Sequence, residues 1–192
     1  MPQEIEIEFK NLLTEAEFRK LYKAFDMANA PEIQQVNHYF ETNDFQLKQH
    51  GAALRIREKN GKYQSTLKQP QGDGLLETHD YLTEQEANSW LQGHITLGPE
   101  INKQLQEMGI AAADLTYGGS LETIRREKSY NDTIIVLDKS NYGDITDYEL
   151  ELEAQSFAHG ERVFHTVLTE NGIAKCETPN KIERFYDSLR NR

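Results

Sequence analysis

The sequence predicts a mainly β fold of the α+β class, a closed eight-stranded antiparallel β-barrel with helices packed outside it. Three observations carry this expectation. Several segments alternate charged and apolar residues with period two, which sends the two kinds to opposite faces of a strand. Short turn signals join neighbouring segments, so successive strands run antiparallel. Eight such segments occur, at 4–10, 33–42, 52–59, 62–69, 75–82, 120–130, 133–139 and 145–154. That is enough to close a barrel whose interior holds packed side chains or one small ligand. The length of 192 residues suits one domain, taken as residues 1–192, and a hydrophobic content of 37% suits a partly polar interior.

The elements follow in order. Glu4-Ile5-Glu6-Ile7-Glu8-Phe9-Lys10 alternates strictly and opens the chain as a strand. Thr14 to Glu17 is a capping box, and the helix it starts carries Phe18, Leu21, Tyr22 and Phe25 on one face. The second strand, 33–42, leads into a short helix or turn at 44–50. Asn60-Gly61 is a two-residue hairpin signal between the third and fourth strands. Gln71 to Gly74 turns the chain into the fifth. Thr83 to Glu86 is a second capping box, opening a helix that carries Trp90 and Leu91, and 99–108 reads as a further helix ending at Gly109. Asn131-Asp132 and Asn141 to Asp144 break up the last three strands. A helix over 157–170 ends at Asn171-Gly172, and a final helix is expected from Thr178-Pro179, with proline at its first position. The helical stretch at 83–113 separates two strand groups, so two half-barrels are conceivable.

Net charge is −11, which gives no long-range attraction to nucleic acid or to an anionic membrane, and neither partner is expected. The lone Cys176 allows no intramolecular disulfide and no thiolate zinc cluster. No apolar run approaches the roughly 18 residues of a membrane span, and no secretory leader pattern is visible. A cytoplasmic location is expected.

Charge recurs at period two on several strands. Glu4, Glu6, Glu8 and Lys10 share one face. So do Arg55, Arg57 and Lys59; Lys62, Gln64, Thr66 and Lys68; Glu77, His79 and Tyr81; Thr123, Arg125 and Glu127; and Asp147, Glu149, Glu151 and Glu153. Any one row alone reads as a solvated strand face. Together, with amphipathic helices to cover the apolar faces, the rows turn toward a lumen. Unpaired charge is costly there, unless the lumen holds water, ions and a highly charged ligand. Acidic rows suit a divalent cation and basic rows suit phosphate.

In this order the motifs resemble the CYTH, or triphosphate tunnel metalloenzyme, superfamily. Glu6-Ile7-Glu8-Phe9-Lys10 matches its ExExK signature, Leu54-Arg55-Ile56-Arg57 its LRxR strand, and Thr66-Leu67-Lys68 its basic strand. Glu77, Arg125, Leu137-Asp138, Glu149-Leu150-Glu151 and Lys181 resemble its later positions, so the resemblance spans almost the whole chain. The likeness is strongest to the small stand-alone Firmicutes CYTH protein labelled an adenylate cyclase. Two departures stand out. Thr78-His79-Asp80 follows Glu77 where many members repeat carboxylates, and the row Glu149, Glu151, Glu153 is longer than the usual pair.

The resemblance implies a triphosphate tunnel. It would bind a triphosphate-containing small molecule (inorganic triphosphate, a nucleoside triphosphate or thiamine triphosphate) with Mg²⁺ or Mn²⁺. Glu6, Glu8, Glu149 and Glu151, with Glu77 next, are the expected metal ligands. Arg55, Arg57 and Arg125 are planar donors suited to phosphate, with Lys181 the C-terminal basic position. Lys10 and Lys68 are the candidate catalytic residues, point charges for phosphate oxygens, either of which could orient an attacking water. Arg126 should point away from Arg125. His38, His50, His94, His159 and His165 lack a metal-ligand spacing and read as structural or surface. The expected activity is hydrolysis of a triphosphate, inorganic triphosphate first, by phosphoryl transfer to water. The alternatives are a class IV-like adenylate cyclase and a non-catalytic polyphosphate- or nucleotide-binding module.

Overall fold

The computed structural model describes residues 3–190, with side chains through Ser188. The strands are β1 (Gln3–Leu13), β2 (Glu32–Thr42), β3 (Ala53–Lys59), β4 (Lys62–Gln71), β5 (Gly74–Leu82), β6 (Leu115–Tyr130), β7 (Thr133–Tyr142) and β8 (Ile145–Ala154). They form a closed antiparallel barrel in the order β1-β5-β4-β3-β2-β6-β7-β8. The helices are α1 (Glu15–Ala24), α2 (Gln46–Gln49), α3 (Glu84–Leu91), α4 (Pro99–Glu107), α5 (Phe157–Glu170) and α6 (Lys181–Arg190). Among the described residues, no helix is long and apolar enough to cross a membrane.

Local sequence explains most boundaries. Both capping boxes form: Thr14 Oγ1 accepts from Glu17 N at 3.2 Å while Thr14 N donates back to Glu17 at 2.7 Å, and Thr83 and Glu86 repeat the arrangement. Asn60 and Gly61 both take positive φ, +53° and +69°, as a two-residue turn with the twist of its strands requires. Asn131 and Asp132 do the same at +47° and +55°.

Several boundaries differ from the sequence reading, and β1 runs on past Lys10 to the buried Leu13. β6 begins at Leu115, five residues before the expected start. Gly118 and Gly119 dilute the strand signal, but Leu115 is buried and Thr116 Oγ1 donates to Glu41 O at 3.0 Å. β7 runs on to the buried Tyr142, leaving only Gly143-Asp144 as the turn. The last helix begins at Lys181, not at Pro179. Asn180 is the capping residue: its carbonyl accepts from Glu183 N and Arg184 N, and its own N–H donates to Glu183 Oε2 at 3.0 Å.

The chain divides into two compact units, interleaved in sequence. One comprises the described residues of Met1–Ile5 with Gln35–Leu121; the other comprises those of Glu6–Gln34 with Glu122–Arg192. In the first, Phe40, Leu54, Ile56 and Leu67 project from one sheet face onto Trp90 of α3 and Ile101 and Leu105 of α4. In the second, Leu13, Ile135, Leu137, Leu150 and Leu152 pack on Leu21 of α1 and Val163, Phe164, Val167 and Leu168 of α5. Each hydrophobic core therefore lies between strands and helices. The alternate residues of the same strands, Arg55 and Arg57 or Glu149 and Glu151, occupy the other face.

α5 approaches its sheet closely at Gly160. A Cβ there would lie 2.5 Å from Phe9 Cε2 and 2.7 Å from Ala154 Cβ. Gly160→Ala raises helix propensity by about 1 kcal/mol. The overlap costs about 1–3 kcal/mol, and the clash is expected to prevail. Chemical denaturation should show net destabilisation, whereas Glu161→Ala, one residue on and exposed, should stay within about 0.5 kcal/mol of wild type. A stabilised Gly160→Ala protein would mean that α5 does not pack this closely.

Candidate functional site

The second unit holds a buried ionic network whose centre is Asp138, with no solvent exposure. Strand register assembles it. Arg125 on β6 lies opposite Asp138 on β7, which lies opposite Glu149 on β8, with Lys10 of β1 opposite Glu151. Arg125 grips Asp138 with two parallel hydrogen bonds, Nε to Oδ1 at 2.8 Å and Nη2 to Oδ2 at 2.7 Å, and reaches Glu151 at 2.5 Å. The α6 residues complete the set. Lys181 Nζ lies 2.6 Å from Asp138 Oδ2 and 3.3 Å from Glu149 Oε1, and it also bonds Glu151. Arg184 bonds Glu149 and donates to Asp147 Oδ2 at 2.9 Å. Lys10 pairs with Glu8 at 3.3 Å and bonds the Asn180 side chain.

Backbone contacts fix the segment that delivers α6. Cys176 N donates to Asn11 Oδ1 at 2.8 Å, Asn11 Nδ2 donates to Ala174 O at 3.1 Å, and Leu12 N donates to Thr178 Oγ1 at 2.9 Å. Arg126 faces the other way, as expected: it donates to the Met27 carbonyl at 3.1 Å and to Glu32 at 2.9 Å, and stacks over Tyr22.

The network's carboxyls titrate differently from one another. Burial pushes the Asp138, Glu149 and Glu151 carboxyls up. At Asp138 and Glu151 the charges of Arg125 and Lys181 outweigh burial and hold the carboxyls below the ordinary range. At Glu149 burial prevails, and its carboxyl is raised. Burial by itself lowers the Lys181 ammonium, but its three carboxylate partners more than reverse this.

The first unit holds a second charged set. Lys68 on β4 lies opposite Glu77 on β5, with Nζ 2.5 Å from Glu77 Oε1. His79 lies opposite Thr66, and its Nδ1 is 3.0 Å from Thr66 Oγ1. Its Nε2 lies 3.2 Å from both Glu77 Oε2 and Glu4 Oε1. Arg57 Nε donates to Asn37 Oδ1 at 3.1 Å across β2 and β3, and Arg55 stands in the same row. Burial pushes the Glu77 carboxyl up, but the hydrogen bond from His79 and the charges of Lys68 and Arg55 override it and hold Glu77 far below the usual range. The hydrogen bond to Glu77 raises the His79 imidazole.

The donor chemistry fits a divalent cation: carboxylate oxygens line both sets, and Glu4, Glu77 and His79 bring three ligand atoms within 4.8 Å of one another. Of the sequence-nominated residues, the structure joins Arg125, Lys181, Glu149 and Glu151 in one network, Lys10 and Glu8 in a pair, and Lys68 and Glu77 in another. Both lysines nominated for catalysis thus neutralise nominated metal ligands. Sequence reasoning missed Arg184, Asn37 and Asn180, and gave no role to Asp138 or His79. Arg184 was within reach, because Lys181 and Arg184 are three apart on one helix and share a face. Asp138 was singled out only through the Leu137-Asp138 resemblance, because it follows the apolar run 134–137 with no charge alternation to mark its central place.

Asp138→Asn keeps the shape of the side chain but leaves Arg125 and Lys181 buried with less anionic charge. Breaking a buried ion pair from one side costs about 3–5 kcal/mol, and a loss near the lower figure is expected because Glu151 still serves both cations. Urea denaturation measures it. A loss under about 1 kcal/mol would show that water already screens the network.

The CYTH domain family model matches residues 4–186. The Bacillus subtilis (strain 168) protein named "Putative triphosphatase YjbK" is 46% identical over 190 residues, spanning 99% of this chain and 98% of that one. A crystal structure from Bacillus halodurans, described as a "putative adenylate cyclase", superimposes with a TM-score of 0.91 at 42% identity, covering 97% of this chain and 100% of its own. The Hippeastrum protein HpAC1, described as a "putative adenylyl cyclase" with a dominant triphosphatase activity, shares the fold. Its TM-score is 0.76 at 22% identity, over 96% of this chain and 95% of its own.

Proposed function

The chain belongs to the CYTH domain family, and on that premise we propose that it is a divalent-metal-dependent triphosphatase acting in the cytoplasm, with inorganic triphosphate as its preferred substrate. The carrying observation is the burial of charge on the strand faces turned from the hydrophobic cores. Asp138, Glu149, Glu151 and Glu77 are all nine-tenths buried or more, each beside cations. A buried ionic network is a poor way to gain stability, because desolvation offsets most of its attraction. It is a good way to present fixed charges to a polyanion and its counter-ion. The name of YjbK, 46% identical to this chain, supports the same reaction class.

In this reading Glu6, Glu8, Glu77, Glu149 and Glu151 hold Mg²⁺ or Mn²⁺. The ion, when bound, neutralises phosphate oxygens and acidifies water. Arg55, Arg57, Arg125 and Lys181 take non-bridging phosphate oxygens, with Arg55 and Arg57 suited to planar two-point contacts. Lys181 then exchanges carboxylate partners for phosphate, so its charge is never left unpaired. Lys10 and Lys68 steady the terminal phosphoryl group and orient the water. Water attacks the terminal phosphorus, the anhydride bond breaks, and pyrophosphate and orthophosphate leave. Inorganic triphosphate is preferred because the sequence offers neither a glycine-rich phosphate loop nor an aromatic pocket for a base.

A substrate panel tests the reading. Phosphate release from inorganic triphosphate should need Mg²⁺ or Mn²⁺, stop in excess EDTA, and exceed release from ATP or thiamine triphosphate. Undiminished turnover in EDTA would remove the metal from the reaction, and cyclic AMP with pyrophosphate from ATP would establish a cyclase instead. Arg57→Ala should weaken triphosphate binding about 10- to 150-fold by calorimetry, the equivalent of one charge-assisted contact of roughly 1.5–3 kcal/mol. Unchanged affinity would exclude Arg57 from the phosphate contacts.

A further inference from the structure

His79 sits in the first unit's charged set with an orientation that a phosphate site does not require. Its Nε2 lies 3.2 Å from Glu77 Oε2 and 3.2 Å from Glu4 Oε1. All three donor atoms fall within 4.8 Å of one another. Adjacent ligands of one ion bound at about 2.0–2.2 Å stand roughly 3 Å apart, so small rotations bring the three atoms onto a shared centre.

The far sides of His79 and of the buried Glu77 are already occupied. Thr66 Oγ1 is 3.0 Å from His79 Nδ1, which leaves Nε2 to face the carboxylates. Lys68 Nζ is 2.5 Å from Glu77 Oε1, which leaves Oε2 to face the imidazole. Outer partners that fix the ligand atom and ring orientation are the usual surroundings of metal-bound histidine. They are built in by register, since Thr66 pairs with His79 and Lys68 with Glu77 across β4 and β5. The Glu4 side chain is 65% exposed, which gives an ion a path from solvent.

We infer that Glu4, Glu77 and His79 form a site for a divalent transition-metal ion, bound through one nitrogen and two oxygens in preference to Mg²⁺. Mg²⁺ favours all-oxygen shells and sheds water reluctantly. An imidazole ligand shifts the balance toward the later first-row ions, Co²⁺, Ni²⁺ and Zn²⁺. The inference shares only Glu77 with the triphosphatase assignment. It is tested without triphosphate, so either can fail while the other stands.

The test is titration of the metal-free full chain with Co²⁺, and separately with Mg²⁺. Calorimetry gives the affinity, and visible absorption reports the Co²⁺ ligand field. Wild type should bind Co²⁺ more tightly than Mg²⁺ and develop a ligand-field band. His79→Gln and Glu4→Gln should each lose at least about tenfold in Co²⁺ affinity, and His79→Gln should also shift the band. Thr66→Val, which removes only the outer partner, should lose about tenfold or more. Glu4 is exposed, so Glu4→Gln reads the site even if His79→Gln perturbs folding. Equal Co²⁺ affinity in Glu4→Gln and wild type, or an unshifted Co²⁺ band in His79→Gln, would overturn the inference and leave His79 as a counter-ion between two carboxylates.

Discussion

Asp138 is a carboxylate without water, and much of the second unit is arranged to make that tolerable. An ionised carboxylate in a low-dielectric interior is unfavourable by several kcal/mol unless cations and hydrogen bonds replace its hydration. Arg125 supplies a two-point grip from the neighbouring strand and Lys181 a third contact from α6. These demands propagate. Arg125 reaches Asp138 only if β6 and β7 keep their register, because a one-residue slip would turn Arg125 toward the hydrophobic core and Arg126 away from it. Lys181 reaches it only if the chain after Ile173 is tied down, which Asn11 and Thr178 do through the backbone of β1 and of residues 174–176. The sheet register, the tether and the last helix are thus coupled through one buried charge.

The same alternation organises both units. In both units, strands that carry a charged set send intervening residues into a core shared with helices: Leu54 and Ile56 beside Arg55 and Arg57, Leu150 and Leu152 between Glu149, Glu151 and Glu153. The hydrophobic effect therefore acts on the helix-facing side, while the other side is free to carry groups that stability alone would not select. That separation lets a chain of modest hydrophobic content hold buried carboxylates without surrendering its fold.

The period-two rows and the turn residues make the architecture legible in the sequence itself. Glu4 to Lys10, Arg55 to Lys59 and Asp147 to Glu153 announce strands with two chemically distinct faces, and Asn60-Gly61 joins two of them with little ambiguity. What stayed hidden depends on information that a single segment does not carry. The start of β6 was obscured by Gly118 and Gly119, whose low strand propensity is overridden by the burial of Leu115. The start of α6 was misplaced because Pro179 fits a first helical turn, and only the reciprocal bonding of Asn180 and Glu183 shows where the helix begins. The rows themselves were visible, but not which members pair. Lys68 with Glu77, Arg125 with Asp138 and His79 with Glu4 are cross-strand or long-range relations, set by register and not by sequence spacing. The fold-level likeness to proteins described as cyclases and as triphosphatases has the same limit, since it fixes the scaffold and leaves the substrate to individual side chains.

The pairing of β1 with β8 has a kinetic side. Ile7 lies opposite Ala154 and Lys10 opposite Glu151, so the first strand of the chain bonds to the last. By contrast β3, β4 and β5 form a meander with short connections. Loop-closure entropy favours the local meander, and contacts of high sequence separation form slowly. As the chain leaves the ribosome, residues 35–121 can complete their unit before β8, the partner of Ile7 to Leu13, has been made. The apolar edge of Ile7 and Phe9 then stays uncovered until residue 154 and the helix after it have been made. A strand in that condition is a template for mispairing, and like charges set opposite one another, as Glu4, Glu6 and Glu8 of two copies would be, disfavour such pairing. The residues nominated for metal in the finished protein would then have an earlier use, as a solubility device during synthesis.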